Sequence, residues 1–293
     1  MPLSVATHSG PFHADDVLAV ALLRTFVDPD ATVTRTRDLD RIAQADVVVD
    51  VGGIHDPATC RFDHHQASYT GDYSSAGMVL AWLSETGRVR EALALRLRNG
   101  VVAYVDDVDN GRRSPDPEVP CFPLMVTALN QPAGTLAEFD RAFDGAVAMA
   151  EAYVRGVVAA QAAEDRATAV VEAQMRRADA EGSNLILLEE YVRWKAPYFR
   201  LGGADHRTEF VIHPGPDGSR RAAAIPPRLD SFDQKRSLPE SWAGLTDGEL
   251  EAATGVAGAR FCHKNRFITV FDTRDGLLRA MAGAGMIEGP VPA

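Results

Sequence analysis

The chain has 293 residues, 46% hydrophobic and 24% charged, enough for one large or two ordinary globular domains. Thirty Lys and Arg against 41 Asp and Glu leave a net charge of −11, which excludes a general electrostatic pull toward nucleic acid or anionic lipid; a polyanion would have to be held by a local site. Three scattered cysteines, Cys60, Cys121 and Cys262, supply neither a disulfide framework nor a CxxC zinc site, and without a signal-like start or about 18 consecutive apolar residues the chain reads as cytoplasmic.

In chain order, residues 3–7 (LSVAT) predict a short buried strand ending in a His-Ser-Gly turn. Asp15 and Asp16 then open an apolar-periodic run, VLAVALLRTF, which predicts a helix with acids in its first turn. Residues 32–37 (TVTRTR) alternate like a strand, and 46–53 (DVVVDVGG) form the β-branched run typical of a parallel sheet. Residues 61–65 (RFDHH) suit a third strand end, and helices are predicted over 74–86, opening on Ser74, and over 89–105. This alternation predicts an α/β domain with a mostly parallel sheet. From 136 to about 182 the composition turns to Ala, Glu, Arg and Met at helical spacing, as one long helix or two stacked ones. Beyond it NLILLEE, EFVIHP, RRAAAIP and RFITVF read as strands, and DTRDGLLRAMA as a closing helix, of a smaller α+β domain.

The first 65 residues hold ten Asp, five Arg, no Glu, no Lys and five of the eight histidines. Short carboxylates crowded with imidazoles suit a divalent metal site. Asp28, Asp30, Asp38 and Asp40 read instead as turn and cap residues. Four groups of potential ligands lie just beyond apolar elements: His8 with His13, Asp15 and Asp16; Asp50; Asp63-His64-His65; and Asp106, Asp107 and Asp109. In a parallel sheet such groups converge outside the carboxyl ends of strands, where about six ligands would serve two ions bridged by a carboxylate. Taken singly each has a plainer role: a turn group for Asp50, a core histidine for His8, a first-turn acid for Asp16, a loop residue for His55. Their co-occurrence in this order carries the metal reading.

The Asp63-His64-His65 motif, with the preceding His/Asp motif and Asp50, resembles the DHH phosphoesterase superfamily. More closely, THSGPFHADDVLAVALLR, VVVDVGG, RFDHHQ, SSAGMVL, VDDVDNG, RWKAPYF, SLPESWAGLTDGELEAATGV and HKNRFITVFDTRDGLLRAM resemble the MYG (melanocyte proliferating gene) family of metal-dependent hydrolases and exonucleases, over nearly the whole chain. The resemblance implies a DHH-like metal-binding catalytic domain at 1–133, a helical connector at 134–182 and an α+β substrate-binding domain at 183–293. It implies metal ligands at His8, His13, Asp15, Asp50, His64 and Asp106, with Asp109 an alternative to Asp106. Asp50 would bridge, His65 would face the substrate phosphate, and Asp63 would orient a histidine. The superfamily usually has Asp where His13 stands, with one residue fewer after the first His, a departure shared by the MYG family. Lys195, Arg228, His263 and Arg274 are the expected substrate contacts, and Thr269-Val270 stand where the eukaryotic pattern has a glycine pair.

The function so implied is a 3′→5′ exonuclease acting on single-stranded RNA or short oligonucleotides with two divalent ions, Mn²⁺ first and Mg²⁺, Zn²⁺ or Fe²⁺ as alternatives. Only 7% of residues are aromatic, so tight gripping of long strands by base stacking is not indicated, and a cleft between the domains would admit a strand end. The alternatives are hydrolysis of a small phosphate compound such as pyrophosphate or a dinucleotide, disfavoured by having only three lysines, or a non-catalytic metal-binding role. No membrane partner is expected, and the pattern leaves room for a homodimer.

Overall fold

The apolar runs near the N-terminus become the strands of one sheet. A computed structural model describes residues 1–290 and divides the chain into two compact units, Met1–Gln161 and a second beginning at Ala162. The first unit starts with β1 (Ser4–Thr7), α1 (Ala14–Phe26), β2 (Thr32–Arg35), α2 (Leu39–Ala43), β3 (Val47–Val49), β4 (His55–Asp56) and β5 (Arg61–Phe62). The sheet order is β2-β1-β3-β5-β4, with every neighbouring pair parallel except β4 against β5. All three valines of β3 are buried, as a continuous apolar strand covered on both faces must be.

Helix α1 is buried from Ala14 through Leu23 because the sheet covers one side and α3 (Ser75–Glu85) another. Its two N-terminal acids are therefore withdrawn from water. Then follow α4 (Glu91–Leu97), a π-helical turn over Arg98–Val102 and α5 (Ala103–Asp109), where one uninterrupted helix is predicted from sequence. Two short elements without a sequence signal, β4 and α6 (Phe122–Asn130), complete the unit, and α7 is a single helix over Leu136–Glu181.

The second unit contains β6 (Leu185–Leu187), α8 (Lys195–Arg200), β7 (Phe210–Pro214), β8 (Arg220–Ala224), α9 (Asp247–Thr254), β9 (Ala259–Cys262), β10 (Ile268–Phe271) and α10 (Arg274–Gly283). Its mixed sheet runs β6-β7-β8-β10-β9, with β6 parallel to β7 and the other pairs antiparallel. Alternation along the strands serves two cores: Leu185, Leu187, Phe210 and Ile212 join Trp242, Phe271 and Met281, whereas Ile186 and Val211 join Val171 and Tyr198. Both units are thus α/β. Among the described residues no helix is long and apolar enough to cross a membrane, and the three cysteines are free.

Gly77 on α3 marks where the first unit is tightest. A Cβ there would lie 2.5 Å from Asp106 Oδ2, and Asp106 is buried and held by Ser74. Gly77→Ala should therefore cost about 1–3 kcal/mol, read as a lowered midpoint in urea unfolding.

Candidate metal centre

The parallel strands deliver three groups of side chains to one sheet edge. His8 follows β1, Asp50 follows β3, and Asp63-His64-His65 follow β5. Helix α1 adds Asp15 and Asp16 from its first turn, and its N-cap residue is His13. Asp16 is both cap and site group: Oδ1 accepts from the backbone N–H of His13 (3.0 Å) and of Val17 (2.8 Å), while Oδ2 lies 3.3 Å from His8 Nε2. The first-turn role is correct for Asp16, but it uses only one of the two oxygens.

Asp50 is the centre. Its backbone takes φ 56°, the left-handed region that a short polar side chain tolerates best among residues other than glycine, and its N–H is pinned to the carbonyl of Phe62 at 3.1 Å. Oδ2 lies 3.3 Å from His8 Nε2, and Oδ1 lies 3.4 Å from both His64 Nε2 and His65 Nδ1. His64 Nε2 also lies 3.0 Å from Asp109 Oδ2 and 3.8 Å from Asp15 Oδ2. The two oxygens of one carboxylate thus face two different sets: His8 with Asp16, and His64 with Asp15 and Asp109.

Neighbouring groups set the imidazoles. The Asn110 amide donates to the carbonyls of Asp106 (3.0 Å) and Asp72 (3.3 Å), so its oxygen faces His64 Nδ1 at 3.1 Å. That oxygen can only accept, which places a His64 proton on Nδ1 and turns Nε2 toward the carboxylates. Asp63 Oδ1 holds His65 through Nδ1 (2.8 Å) and the backbone N–H (3.1 Å), and Oδ2 accepts from Gly53 N–H (2.6 Å).

The charges are strained without a cation. Burial, reinforced by Asp50 and Asp109, raises Asp15 well above the usual carboxylate range, and burial, opposed by His8, pushes Asp16 up to about 7. For Asp50 burial acts upward too, but His64 and His8 outweigh it and hold the carboxyl far below its ordinary value. Burial would lower both imidazoles, yet the Asp109 and Asp50 carboxylates push His64 up to about 11, and Asp50 and Asp16 raise His8. His8 Nε2, Asp15 Oδ1, Asp16 Oδ2, Asp50 Oδ2 and His64 Nε2 are all buried without a hydrogen-bond partner. Buried polar atoms normally find well-aligned hydrogen bonds, and imidazole and carboxylate atoms that meet at ion-pair distances instead suit a cation placed among them. Four triads, His8-His13-Asp50, Asp50-His64-His65, His13-Asp15-Asp109 and Asp15-Asp16-Asp50, each bring their ligand atoms within 4.8 Å of one another. The residues present fit a divalent ion.

Asp106 does not join them. Its carboxylate accepts from Ser74 N–H (3.0 Å), Ser74 Oγ–H (2.7 Å) and Arg98 (3.3 Å), where it secures the start of α3. Asp109, one turn further on, meets His64 instead. Asp16 belongs to the first group of potential ligands in the sequence, whereas Asn110 had no signature there beyond adjacency to Asp109.

The profile of the MYG1_exonuc family, described as an uncharacterised protein family (UPF0160), matches residues 4–286. The chain belongs to this family. Among similar proteins are the MYG1 protein of Chlamydia muridarum, 37% identical over 96% of each chain, and the MYG1 exonucleases of Mus musculus and Homo sapiens, each 32% identical. The mouse alignment covers 99% of this chain and 87% of its relative, the human one 98% and 86%. No solved structure matches.

Two depressions adjoin the centre of this MYG1-family chain, of about 410 and 670 Å³, and both are lined by His13 and His65. In the second unit the expected substrate residues are separately engaged: Lys195 lies 5.9 Å from the Trp194 ring centroid, Arg228 pairs with Asp230 (3.4 Å), His263 stacks on Phe267 (4.3 Å) and Arg274 pairs with Glu189 (2.9 Å). No hydrogen bond, ion pair or ring contact joins the four to one another among the described residues.

Two outcomes follow from this geometry. Asp106→Ala leaves Ser74 and Arg98 unpaired and should lower stability by about 1–3 kcal/mol while the bound-metal content of purified protein is unchanged; Asp109→Asn should do the reverse, and elemental analysis with thermal melts separates them. In metal-free protein Asp16 holds its proton more tightly folded than unfolded, so its contribution to stability falls as pH rises from 3.8 to about 7, and Asp15 acts in the same direction. His64 adds a contribution that is complete below 6.5 and lost as pH climbs toward about 11. The melting temperature in EDTA should therefore decline between about pH 5 and pH 9, and Mn²⁺ should raise it more at the alkaline end, where the ion takes the place of protons.

Proposed function

We propose that this chain is a metal-dependent phosphodiesterase, a 3′→5′ exonuclease of single-stranded RNA or short oligonucleotides working with two divalent ions. The observation that carries the reading is Asp50: a buried carboxylate whose oxygens face two separate histidine and aspartate sets, among five unpartnered ligand atoms. The name exonuclease, borne by the mouse and human relatives, supports the choice of a nucleic acid substrate. With it goes a DHH-phosphoesterase-like organisation, with residues 1–133 catalytic, 134–182 connecting and 183–293 gripping substrate through Lys195, Arg228, His263 and Arg274.

His8, His13 and Asp16 would hold one ion and His64, Asp15 and Asp109 the other, with Asp50 shared. The mixed imidazole and carboxylate set suits Mn²⁺, Zn²⁺ or Fe²⁺ better than Mg²⁺ or Ca²⁺. Two such ions, when bound, acidify water and neutralise charge on a phosphoryl group. The chain's own contribution is positional. Asn110 keeps the His64 lone pair aimed inward, and Asp63 clamps His65 by Nδ1, leaving Nε2 as the free nitrogen of a ring that lines both depressions. With a proton on Nε2, that ring donates to a phosphoryl oxygen as negative charge builds there.

The test is hydrolysis of 5′-labelled short RNA and DNA oligomers with Mn²⁺. Wild type should give a ladder of progressively shortened labelled products, and Asp50→Ala or His64→Ala should reduce the rate by at least about 100-fold in folded protein. Undiminished activity in either variant removes the two-ion assignment, and no cleavage by wild type removes the nuclease reading in favour of a small phosphate substrate or a binding role.

A further inference from the structure

The two depressions differ in chemistry. The larger brings the apolar side chains of Phe12, Val105, Val108 and Pro123 together with the polar groups of Asp109, Asn110 and Asn130. The smaller is lined by Gly52, Gly53, Gln66 and Arg37 beside the ligands themselves. Among the described residues Arg37 is the single lysine or arginine lining either one.

Its placement is fixed by backbone rather than by an ion pair. Arg37 lies two residues beyond β2, where Thr36 N–H donates to the carbonyl of Thr7 (2.7 Å) and Asp38 N–H to Thr36 Oγ1 (3.1 Å). Its Nη2 comes within 3.5 Å of His8 Nδ1, and no carboxylate lies within ion-pair distance of the guanidinium among the described residues. Most other arginines around this sheet are occupied: Arg24 by Glu151, Arg35 by Asp140, Arg98 by Asp106 and Arg112 by Asp107. A guanidinium has five donors and no acceptor, and its fork matches two oxygens of one phosphate. Gly53, which also lines this depression, takes φ 70°, and the space where a Cβ would stand is open.

We propose that Arg37 is a specificity-determining residue that holds a phosphate group of the substrate in the smaller depression, while the nucleoside attached to it occupies the larger one. The inference rests on the phosphodiesterase reading and adds to it the chemical class recognised, a nucleoside phosphate gripped across the metal centre. The smaller depression is also lined by the carboxylates of Asp50 and Asp63, which repel an incoming anion, and Arg37 supplies the guanidinium that offsets them. Lysine at position 37 would restore the charge without the two-pronged fit.

The experiment is calorimetric titration of adenosine 5′-monophosphate, and separately of adenosine, into Mn²⁺-loaded wild type, Arg37→Gln and Arg37→Lys. Loss of charge-assisted bonds should weaken binding of the monophosphate about 10- to 100-fold in Arg37→Gln, with partial recovery in Arg37→Lys and adenosine unaffected. In oligonucleotide hydrolysis the same variant should raise KM with kcat preserved. Equal affinity of wild type and Arg37→Gln for the monophosphate overturns the proposal, as does an equal loss for adenosine. Arg37-dependent binding of the monophosphate by a wild type that cleaves no phosphodiester removes the phosphodiesterase reading and leaves the anchor standing.

Discussion

Three carboxylates, those of Asp15, Asp16 and Asp50, are shut away from water beside one another, and such an arrangement holds only with counter-charge in place. Much of the first unit is organised around supplying it. His8 and His64 lean in from two strand ends, the first turn of α1 offers its backbone N–H groups to one oxygen of Asp16, and Ser75 N–H reaches Asp15 at 3.3 Å. Protons on the acids and imidazoles balance the rest when no ion is bound, which is why Asp16 and His64 titrate far from their ordinary ranges. A divalent ion would take over the work of those protons.

The backbone bears part of the strain. Asp50 leaves β3 in a left-handed conformation, a departure of about 1–2 kcal/mol for a residue with a Cβ. It persists because its N–H is tied to β5 through Phe62. Turning the chain at Asp50 allows one carboxylate to face β1 through His8 and β5 through His64 at once. An extended residue at that position would project its side chain to one face of the sheet and serve one neighbour. Strain, burial and shared ligation therefore meet in one residue, as at sites where structure is held for chemistry.

Much of this was legible in the sequence because strand and helix alternation is written in apolar periodicity. The runs LSVAT and DVVVDVGG, and the helix after Asp15-Asp16, lie where β1, β3 and α1 stand. What periodicity could not convey is anything set by long-range pairing. The two-residue β4 exists only because β5 offers it hydrogen bonds, and β9 only because β10 does. Asp16 shows a subtler limit: the pattern of a helix start explains its geometry in the capping turn, and nothing local reveals that its second oxygen is turned toward His8.

The choice between Asp106 and Asp109 was hidden for a geometric reason. Residues 89–105 read as one α-helix, but the π-helical turn over Arg98–Val102 sits before α5. That turn rotates Asp106 and Asp109 together by about 100°, so helical periodicity, which puts both on one face, cannot choose between them. In the folded chain Asp106, Asp109 and Asn110 share one side of α5, a turn apart. Asp106 grips Ser74 and so fixes where α3 begins, while Asp109 and Asn110 reach His64, and the Asn110 amide closes the circuit on the Asp106 carbonyl. Because Ser75, the first residue of α3, touches both Asp15 and Asp50, the same helix turn sets both the ligands and the scaffold beneath them. Asp106 thus supports the helix whose first residue meets Asp15 and Asp50, while its own carboxylate stays outside their cluster.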